Sequence, residues 1–437
     1  MIHHITKFMV CLAACISLWP VCARNAATDD QLDSLKLNHH VIFLPGNGTP
    51  DAGSDSVRRA IDAFYYDQFR HFQDPAAPYF LFLSKDSNLA MGIGGCVRMR
   101  GWYDWGGAIP ANGFVPALIQ MEPDPTHMRH LGTTPAGSSL FFRVLGRKGG
   151  INYQLYIEAN FNGYQGRDLH LKKAYAILND WTVGYANSTF SDPMALPPTV
   201  DAQGPNNKMA VTDVLVRWMK TFRNRWTVAV SAETPAQQVD VQNDMTAKCD
   251  EWLPDFAAFL QYEWDTSSHV RLAGIMRTLP YRDLIAERNH NVIGYGLQLS
   301  TVFHPAYPLT FYGTFTWGHG TASLGGDMLV GNYDLVSDPD TPGRLYAPAA
   351  FGWCAALQYN FRPNLFVSAT FGQSRYLPDH QEDGMNYKYG LYGAANVFWN
   401  LTPRIQVGAE FNIGKRQNFN GMHRWARRVG AMCQFSF

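Results

Sequence analysis

The feature that most constrains this chain is a run of strand and turn patterns that begins near residue 89 and continues to the C-terminus. Within it, apolar and polar residues alternate with a period of two, as in a β-strand whose two faces differ. The connections between these windows alternate between long and tight. A transmembrane β-barrel requires this alternation, because its short turns and long loops lie on opposite sides of the membrane. A soluble sandwich or propeller has no reason to sort its loops in this way.

The last window, residues 427–437, shows the alternation and ends on an aromatic residue. One of its faces is apolar and carries Val429, Ala431, Cys433, Phe435 and Phe437. A C-terminal strand that ends on Phe is typical of the closing strand of an outer-membrane barrel. An edge strand of a soluble sheet shows the same pattern over so short a window, so the rest of the chain decides between them.

The pattern predicts an all-β fold: a 16-stranded antiparallel transmembrane β-barrel over residues 88–437, preceded by a short N-terminal amphipathic helix. Fourteen or eighteen strands are the alternatives, the larger count applying if the apolar run at 79–83 joins the wall. The predicted strands are 89–104, 139–147, 150–162, 169–178, 181–190, 209–222, 225–234, 254–265, 268–278, 290–303, 308–318, 348–361, 364–375, 387–400, 403–415 and 427–437.

The N-terminal part predicts export and a periplasmic leader. Residues 1–23 have the polar start, the apolar core and the small residues before a cleavage site that mark a secretory signal. A lipoprotein box at Cys15 is the weaker alternative, because the apolar run continues beyond it. Residues 24–87 form a periplasmic leader that contains the amphipathic helix, which packs at the barrel mouth or contacts other copies. Its apolar positions are Val57, Ile61, Phe64, Tyr65, Phe69 and Phe72.

Composition excludes several classes of protein. Lys plus Arg equals Asp plus Glu at 36 each, so no charge excess points to nucleic acid. No internal apolar run reaches the ~20 residues of a membrane-spanning helix. Aromatic residues make up 14% of the chain, which suits the aromatic girdles of a barrel. The cysteines outside the signal show no metal-ligand spacing, and we predict no metal and no cofactor; they are Cys96, Cys249, Cys354 and Cys433.

Six short motifs carry a family resemblance: MGIGG at 91–95, RMRGWYD at 98–104, KKAY at 172–175, WTVGY at 181–185, STFSD at 188–192 and DAQGPN at 201–206. Through them the chain resembles the DcaP-like outer-membrane porins over most of its length after about residue 55. The stretch 74–86 is most similar to the Bacteroidota branch of that family. The resemblance implies a 16-stranded homotrimeric porin that passes small, often anionic solutes by diffusion.

Taking the apolar face of each strand as outward predicts which charged residues line the lumen. The basic candidates are Arg98, Arg100, Arg143, Arg147, Arg217, Arg225, Arg271, Arg277 and Arg428. The acidic candidates are Glu158, Asp213, Glu233, Glu263 and Glu410. An excess of arginine favours anions, with Arg98/Arg100 and Arg271/Arg277 as the expected basic wall. The alternative is that several of these arginines pair with acids of the lumen or lie at the mouth, where lipid headgroups bind.

The loop at 191–208 is rich in proline and carries Asp192 and Asp201. A stiff loop at this place is expected to fold into the lumen and narrow it; remaining external or reaching a neighbouring subunit are the alternatives.

A second class of function is an outer-membrane barrel enzyme, of lipase or protease type, with an active site at the extracellular rim. His319, between two glycines, is the histidine whose setting suggests it, but no GxSxG or HExxH motif accompanies it. A structural anchor with a filled lumen is disfavoured, because barrels of sixteen strands leave a channel. We therefore predict a channel in the outer membrane, surrounded by lipid, with its N-terminus in the periplasm.

Overall fold

A computed structural model describes residues 40–43, 80–84, 89–107, 109, 111–122, 124–162, 166–209, 211–241, 244–265 and 268–437 of the chain. The predicted signal and the predicted amphipathic helix fall outside these residues. The chain divides into two compact units, Met1–His40 and Val41–Phe437, and the second unit holds the strands described below.

Sixteen antiparallel strands form one closed sheet, as the sequence predicts, and we number them one to sixteen in chain order. They are Leu89–Trp105, Ser139–Lys148, Ile151–Asn162, Asp168–Leu178, Trp181–Asn187, Thr212–Phe222, Trp226–Glu233, Asp255–Glu263, His269–Asp283, Arg288–Ala306, Leu309–His319, Ala349–Arg362, Leu365–Leu377, Tyr387–Asn400, Ile405–Asn418 and His423–Ser436.

The barrel closes where strand sixteen pairs with strand one. Arg427 lies opposite Trp105 at one end of this pairing, and Ser436 lies opposite Cys96 at the other. Beyond the strand, the backbone N–H of Phe437 donates to the carbonyl of Gly95 at 2.9 Å, and the N–H of Gly95 donates back at 2.8 Å. The predicted closing role of the C-terminal strand is therefore confirmed.

The remaining elements are short. Additional strands are His40–Phe43, Phe80–Leu83, Arg129–Thr134, Thr246–Lys248, Val336–Ser337 and Leu345–Tyr346. Among the described residues one α-helical turn is present, Met328–Gly331, with 3₁₀ turns at Pro116–Leu118, Pro125–His127, Pro193–Ala195 and Ala322–Leu324. The run at 79–83, whose role the sequence left open, extends the sheet beside strand one without adding a full wall strand, since Phe80 to Leu83 pair with Ile93 to Ala90. Over the described part of the chain, none of the helices has the length and apolar character to cross a bilayer.

Several strands are longer than predicted, and two loops are correspondingly short. Strands nine and ten pair continuously up to Asp283 and Arg288, although the predicted strand nine ended at residue 278. Strands fifteen and sixteen pair up to Gln417 and His423. The predicted long loops at 279–289 and 416–426 are therefore tight turns, and the strict alternation of loop length is wrong at these two places.

The two faces of the wall separate apolar from polar side chains. On strand one, the outward side chains of Val97 and Met99 are 49% and 55% exposed. The inward side chain of Arg100, on the same strand, is 7% exposed. Tryptophans lie near both rims of the outer surface, with Trp181 and Trp399 at one rim and Trp425 at the opposite rim. An apolar exterior with two aromatic rows is the surface of a barrel that faces lipid.

Candidate functional site

Residues 188–209, between strands five and six, form a loop that contacts the inward face of the barrel, and we call it the inner loop. Its contacts are with strands seven to sixteen, beginning with Glu233 on strand seven and Phe259 on strand eight. The first part of the loop reaches strand nine, and the middle reaches strands thirteen to sixteen. Three anchors hold it there.

The first anchor is Asp192, whose side chain is fully buried. Its Oδ2 atom lies 2.9 Å from Nε2 of His269 on strand nine and also accepts the hydroxyl of Ser300 on strand ten. A guanidinium nitrogen of Arg271 is 3.6 Å from the other carboxylate oxygen and donates to the carbonyl of Ser191 at 2.9 Å. This part of the loop is thus held by a buried, charged hydrogen-bond network.

The second anchor is Glu410 on strand fifteen. Its two carboxylate oxygens accept the backbone N–H groups of Val200 at 2.8 Å and Asp201 at 3.0 Å. The Nδ2 atom of Asn396 on strand fourteen donates to the carbonyl of Pro198 at 2.8 Å. Glu410 was predicted to line the lumen, and its side chain lies on that face but is occupied by the loop backbone.

The third anchor is the pair Asn206 and Asn207. Asn206 donates to the carbonyl of Gly390 on strand fourteen at 2.9 Å, and Asn207 accepts the hydroxyl of Thr316 on strand eleven at 2.6 Å. A Cβ atom at Gly352 on strand twelve would overlap the Asn207 side chain, so only glycine leaves room for this contact. Inward glycines of this kind are a sequence signal for the inner loop that our sequence analysis did not use.

Two further loops fill the mouth beside the inner loop. Phe114, from the loop after strand one, is fully buried and donates its backbone N–H to Asp201 at 2.7 Å. Asp327, from the loop after strand eleven, is fully buried and accepts the Tyr387 hydroxyl at 2.8 Å. Burial raises the pKa of Asp327 to about 7, although the hydrogen bond from Tyr387 favours its charged form.

Three predicted lumen arginines are matched by carboxylates, the alternative that the sequence left open. Arg271 faces Asp192, as described above. Arg277 bonds Asp255 at 2.9 Å and also lies 3.3 Å from a carboxylate oxygen of the loop residue Asp334. Arg428 bonds both carboxylate oxygens of Asp104, at 2.6 Å and 2.9 Å, and lies 3.8 Å from Asp201. The two arginines of the expected basic cluster Arg271/Arg277 therefore face three carboxylates.

A second group of basic side chains lies on the other half of the wall, and we call it the basic wall: Arg98, Arg100, Arg143, Lys172, Lys173 and Arg217. Arg98 donates to the neutral Gln434 at 2.7 Å, and Arg100 donates to the carbonyl of Ala136 at 3.3 Å. Glu158, a predicted acidic lining residue, accepts Lys172 at 2.7 Å. The sequence indicated the two lysines only as part of the KKAY motif. A bulge between strands three and four places both beside Glu158, and this bulge has no clear sequence signal.

The remaining predicted residues lie near the rims. Arg147 is exposed at the tight-turn end of strand two, and Arg225 is exposed in the turn before strand seven, which begins only at Trp226. Glu263 is the last residue of strand eight and accepts the side-chain amide of Gln261 at 2.8 Å. Glu233, at the long-loop end of strand seven, accepts the N–H of Thr189 in the inner loop at 2.7 Å. Arg225 is thus off the wall strands.

The histidine that suggested an enzyme lies in an aromatic cluster. The ring of His319 is 5.1 Å from that of Tyr295 and 5.6 Å from that of Trp317, and both neighbours are exposed on the outer surface. Its Nδ1 atom lies 3.1 Å from the carbonyl of Ala347. In this setting the imidazole of His319 is not positioned to act as a base on a solute in the lumen.

The closed sheet, the apolar exterior and the inner loop define a 16-stranded transmembrane β-barrel with a narrowed interior. The structure is similar to the outer membrane channel DcaP of Acinetobacter baumannii, with a TM-score of 0.70, 19% identity, and coverage of 80% of this chain and 98% of that chain. It is also similar to an anion-selective porin from Comamonas acidovorans, with a TM-score of 0.54, 9% identity, and coverage of 80% and 100%.

A third similar structure is OmpF of Salmonella typhi in complex with daunomycin, with a TM-score of 0.50, 9% identity, and coverage of 80% and 98%. No family model matches the sequence. No curated protein matches it either. At these identities the similarity establishes the fold, and the predicted resemblance to DcaP is confirmed at that level.

Proposed function

We propose that this protein is an outer-membrane porin through which small polar solutes diffuse, with anions preferred over cations. A barrel of sixteen strands is too wide for its wall side chains alone to fill. The fold is shared with a structure described as an outer membrane channel and with one described as an anion-selective porin. In this proposal the long loops lie outside the cell and the N-terminus lies in the periplasm.

The observation that carries the anion preference is the way charge is divided between the two halves of the wall. The acids of the inner loop are held by positive groups and by backbone donors: Asp192 lies beside Arg271, and Asp201 lies 3.8 Å from Arg428 and accepts the N–H groups of Phe114 and Gly204. The basic wall stands on the strands that the loop does not cover. A solute that passes between them meets an excess of positive charge, which lowers the barrier for anions and raises it for cations.

Three members of the basic wall are buried, which strengthens the effect of their charge. Arg143, Lys173 and Arg217 of the basic wall are only 1%, 4% and 3% exposed. Charges that face little water interact over a lower effective dielectric constant than charges in an open pore. We therefore infer that these three residues act on a passing solute through the field of their charges.

The assembly is part of the same proposal. An amphipathic helix must bury its apolar stripe, which in this chain includes Val57, Ile61 and Phe64. The partners that the family resemblance implies are two further copies, in a homotrimer surrounded by outer-membrane lipid. No catalytic role is proposed, because His319, the one candidate, lies among outward aromatic rings.

Uptake by liposomes that contain the full-length protein tests this function. Glutamate, glutamine and lysine are similar in size and differ in charge, so their rates of entry separate selection by charge from selection by size. We expect entry of all three, with glutamate fastest and lysine slowest. Equal rates would contradict the anion preference, and no protein-dependent entry of any of them would contradict the channel.

A further inference from the structure

Two loops at the long-loop rim bring an imidazole and two carboxylates together, away from the inner loop. Asp338 and Asp340 belong to the loop between strands eleven and twelve, and His380 belongs to the loop between strands thirteen and fourteen. One ligand atom from each of the three residues lies within 4.8 Å of the other two. The proposed channel function gives these residues no role.

The separations between these atoms suit a metal ion better than hydrogen bonds. Nε2 of His380 is 3.5 Å from Oδ1 of Asp338, and Nδ1 is 3.5 Å from Oδ2 of Asp340. Hydrogen bonds between imidazole and carboxylate are shorter, at about 2.7–3.0 Å. Ligand atoms about 2.0–2.1 Å from a tetrahedral zinc ion are about 3.3 Å apart. The two carboxylates face different ring nitrogens, and one ion binds only one of these nitrogens, so one aspartate must turn toward it. One ligand atom from each side chain already lies within 4.8 Å of the other two, which keeps this movement small.

Neighbouring groups hold the ligands in place. The His380 ring packs edge-on against Tyr346, with centroids 5.1 Å apart, and the Tyr346 hydroxyl accepts the His380 backbone N–H at 3.4 Å. The N–H of Asp338 donates to the carbonyl of Arg344 at 2.9 Å, which closes the turn that carries both carboxylates. An imidazole fixed by its surroundings is the arrangement that metal-binding histidines show.

The local charge also favours a cation. Asp379, Glu382 and Asp383 lie in the same short loop as His380. In the part of the chain that the structure describes, no Lys or Arg forms an ion pair with Asp338 or Asp340, and their charged neighbour is His380 itself. A divalent cation would neutralise a rim that otherwise carries several unmatched carboxylates.

We propose that Asp338, Asp340 and His380 bind one divalent transition-metal ion, of which Zn²⁺ fits the ligands best, and that this ion ties the two loops together. Two carboxylate oxygens and one imidazole nitrogen leave a fourth tetrahedral position for water. Calcium requires six to eight oxygen ligands and magnesium an octahedral oxygen shell, so neither suits a set that includes an imidazole.

Equilibrium dialysis of Zn²⁺ against metal-free, full-length protein in detergent tests the site. We expect one Zn²⁺ per chain, and at least about tenfold weaker binding in His380→Ala and in Asp340→Asn, since even residues outside the ligand shell change metal affinity 10–100-fold. His127→Ala is the matched control: His127 also pairs with a carboxylate on an exposed loop, at 2.8 Å from Asp124, but has no second acid. His380→Cys keeps a zinc ligand and should restore binding.

The rate of cleavage by trypsin gives a second readout, because the exposed Arg344 lies in the turn that the metal ion would connect to the other loop. Zn²⁺ should slow cleavage after Arg344 in the wild type and in His127→Ala, but not in His380→Ala. Heat-modifiable migration on gels shows which variants are folded. The proposal is overturned if folded His380→Ala binds Zn²⁺ within twofold of the wild type, if His127→Ala loses as much affinity, or if Mg²⁺ protects Arg344 equally well.

Discussion

Asp192 of the inner loop and His269 of strand nine face each other inside the barrel, with 2.9 Å between the carboxylate Oδ2 and the imidazole Nε2. Neither side chain is more than 3% exposed. The same carboxylate also faces Arg271, so the early part of the inner loop depends on one buried acid. In the proposed channel, the width of the passage depends on this contact.

Asp192→Asn should loosen the inner loop. Removing one charge of a buried pair costs about 3–5 kcal/mol, because the remaining cation is left without its partner. We expect a lower urea midpoint of unfolding and noisier open-channel currents. Asp180→Asn is the control, since Asp180 pairs with Lys220 at 3.6 Å on the surface, where such pairs contribute about 0–1 kcal/mol. If both variants unfold and conduct alike, the Asp192 anchor does not hold the loop.

Gly352→Ala should displace the inner loop from strand twelve. The added Cβ atom would overlap the Asn207 side chain, and overpacking of this kind costs about 1–3 kcal/mol. Gly101→Ala is the matched control, because the nearest atoms to a Cβ there are 3.8 Å away. We expect the urea midpoint to fall only in Gly352→Ala. Equal midpoints would show that the loop makes no close contact with strand twelve.

Raising the pH should weaken the packing of the loop that carries Asp327. Its pKa is about 7 in the folded protein because of burial, and about 3.9 in the unfolded chain. Between these values the folded state holds a proton that the unfolded state has released, so this contribution to stability is present below about pH 4 and is lost as the pH rises through 7. Thermal unfolding at pH 5 and pH 8 measures it.

Asp327→Asn is the comparison for this pH effect, since an amide does not ionise. We expect the fall in melting temperature between pH 5 and pH 8 to be smaller in the variant than in the wild type. An unchanged difference would assign the pH dependence to other groups. The amide retains an oxygen that can accept the Tyr387 hydroxyl, so the comparison isolates the charge.

The wall could be predicted from sequence because each strand repeats one local rule. Val429 and Phe435 are 45% and 44% exposed outside while Arg428 is 2% exposed inside, as the period of two required. The ends of the strands were harder to predict. The predicted strand nine ended at residue 278, yet its pairing continues to Asp283, with Pro280 opposite Asn291 in an unbroken ladder.

The interior was harder to predict, because it depends on contacts between residues far apart in the chain. The face of Arg271, Arg277 and Arg428 followed from periodicity, but their matching acids Asp192, Asp255 and Asp104 could not be assigned without the fold. Lys172 and Lys173 were missed as lining residues for the related reason that a bulge breaks the period of two beside Glu158.

The central claim is that the basic wall makes the channel anion-selective, and the reversal potential in planar bilayers under a KCl gradient tests it most directly. We predict a potential of the sign that shows chloride passing more readily than potassium. Arg98→Gln with Arg100→Gln should shift it toward the potassium side without loss of folding, because in the described part of the chain these guanidiniums donate hydrogen bonds to the neutral side chain of Gln434 and the carbonyl of Ala136. A cation-selective wild type, or a potential that the double substitution leaves unmoved, would contradict the account.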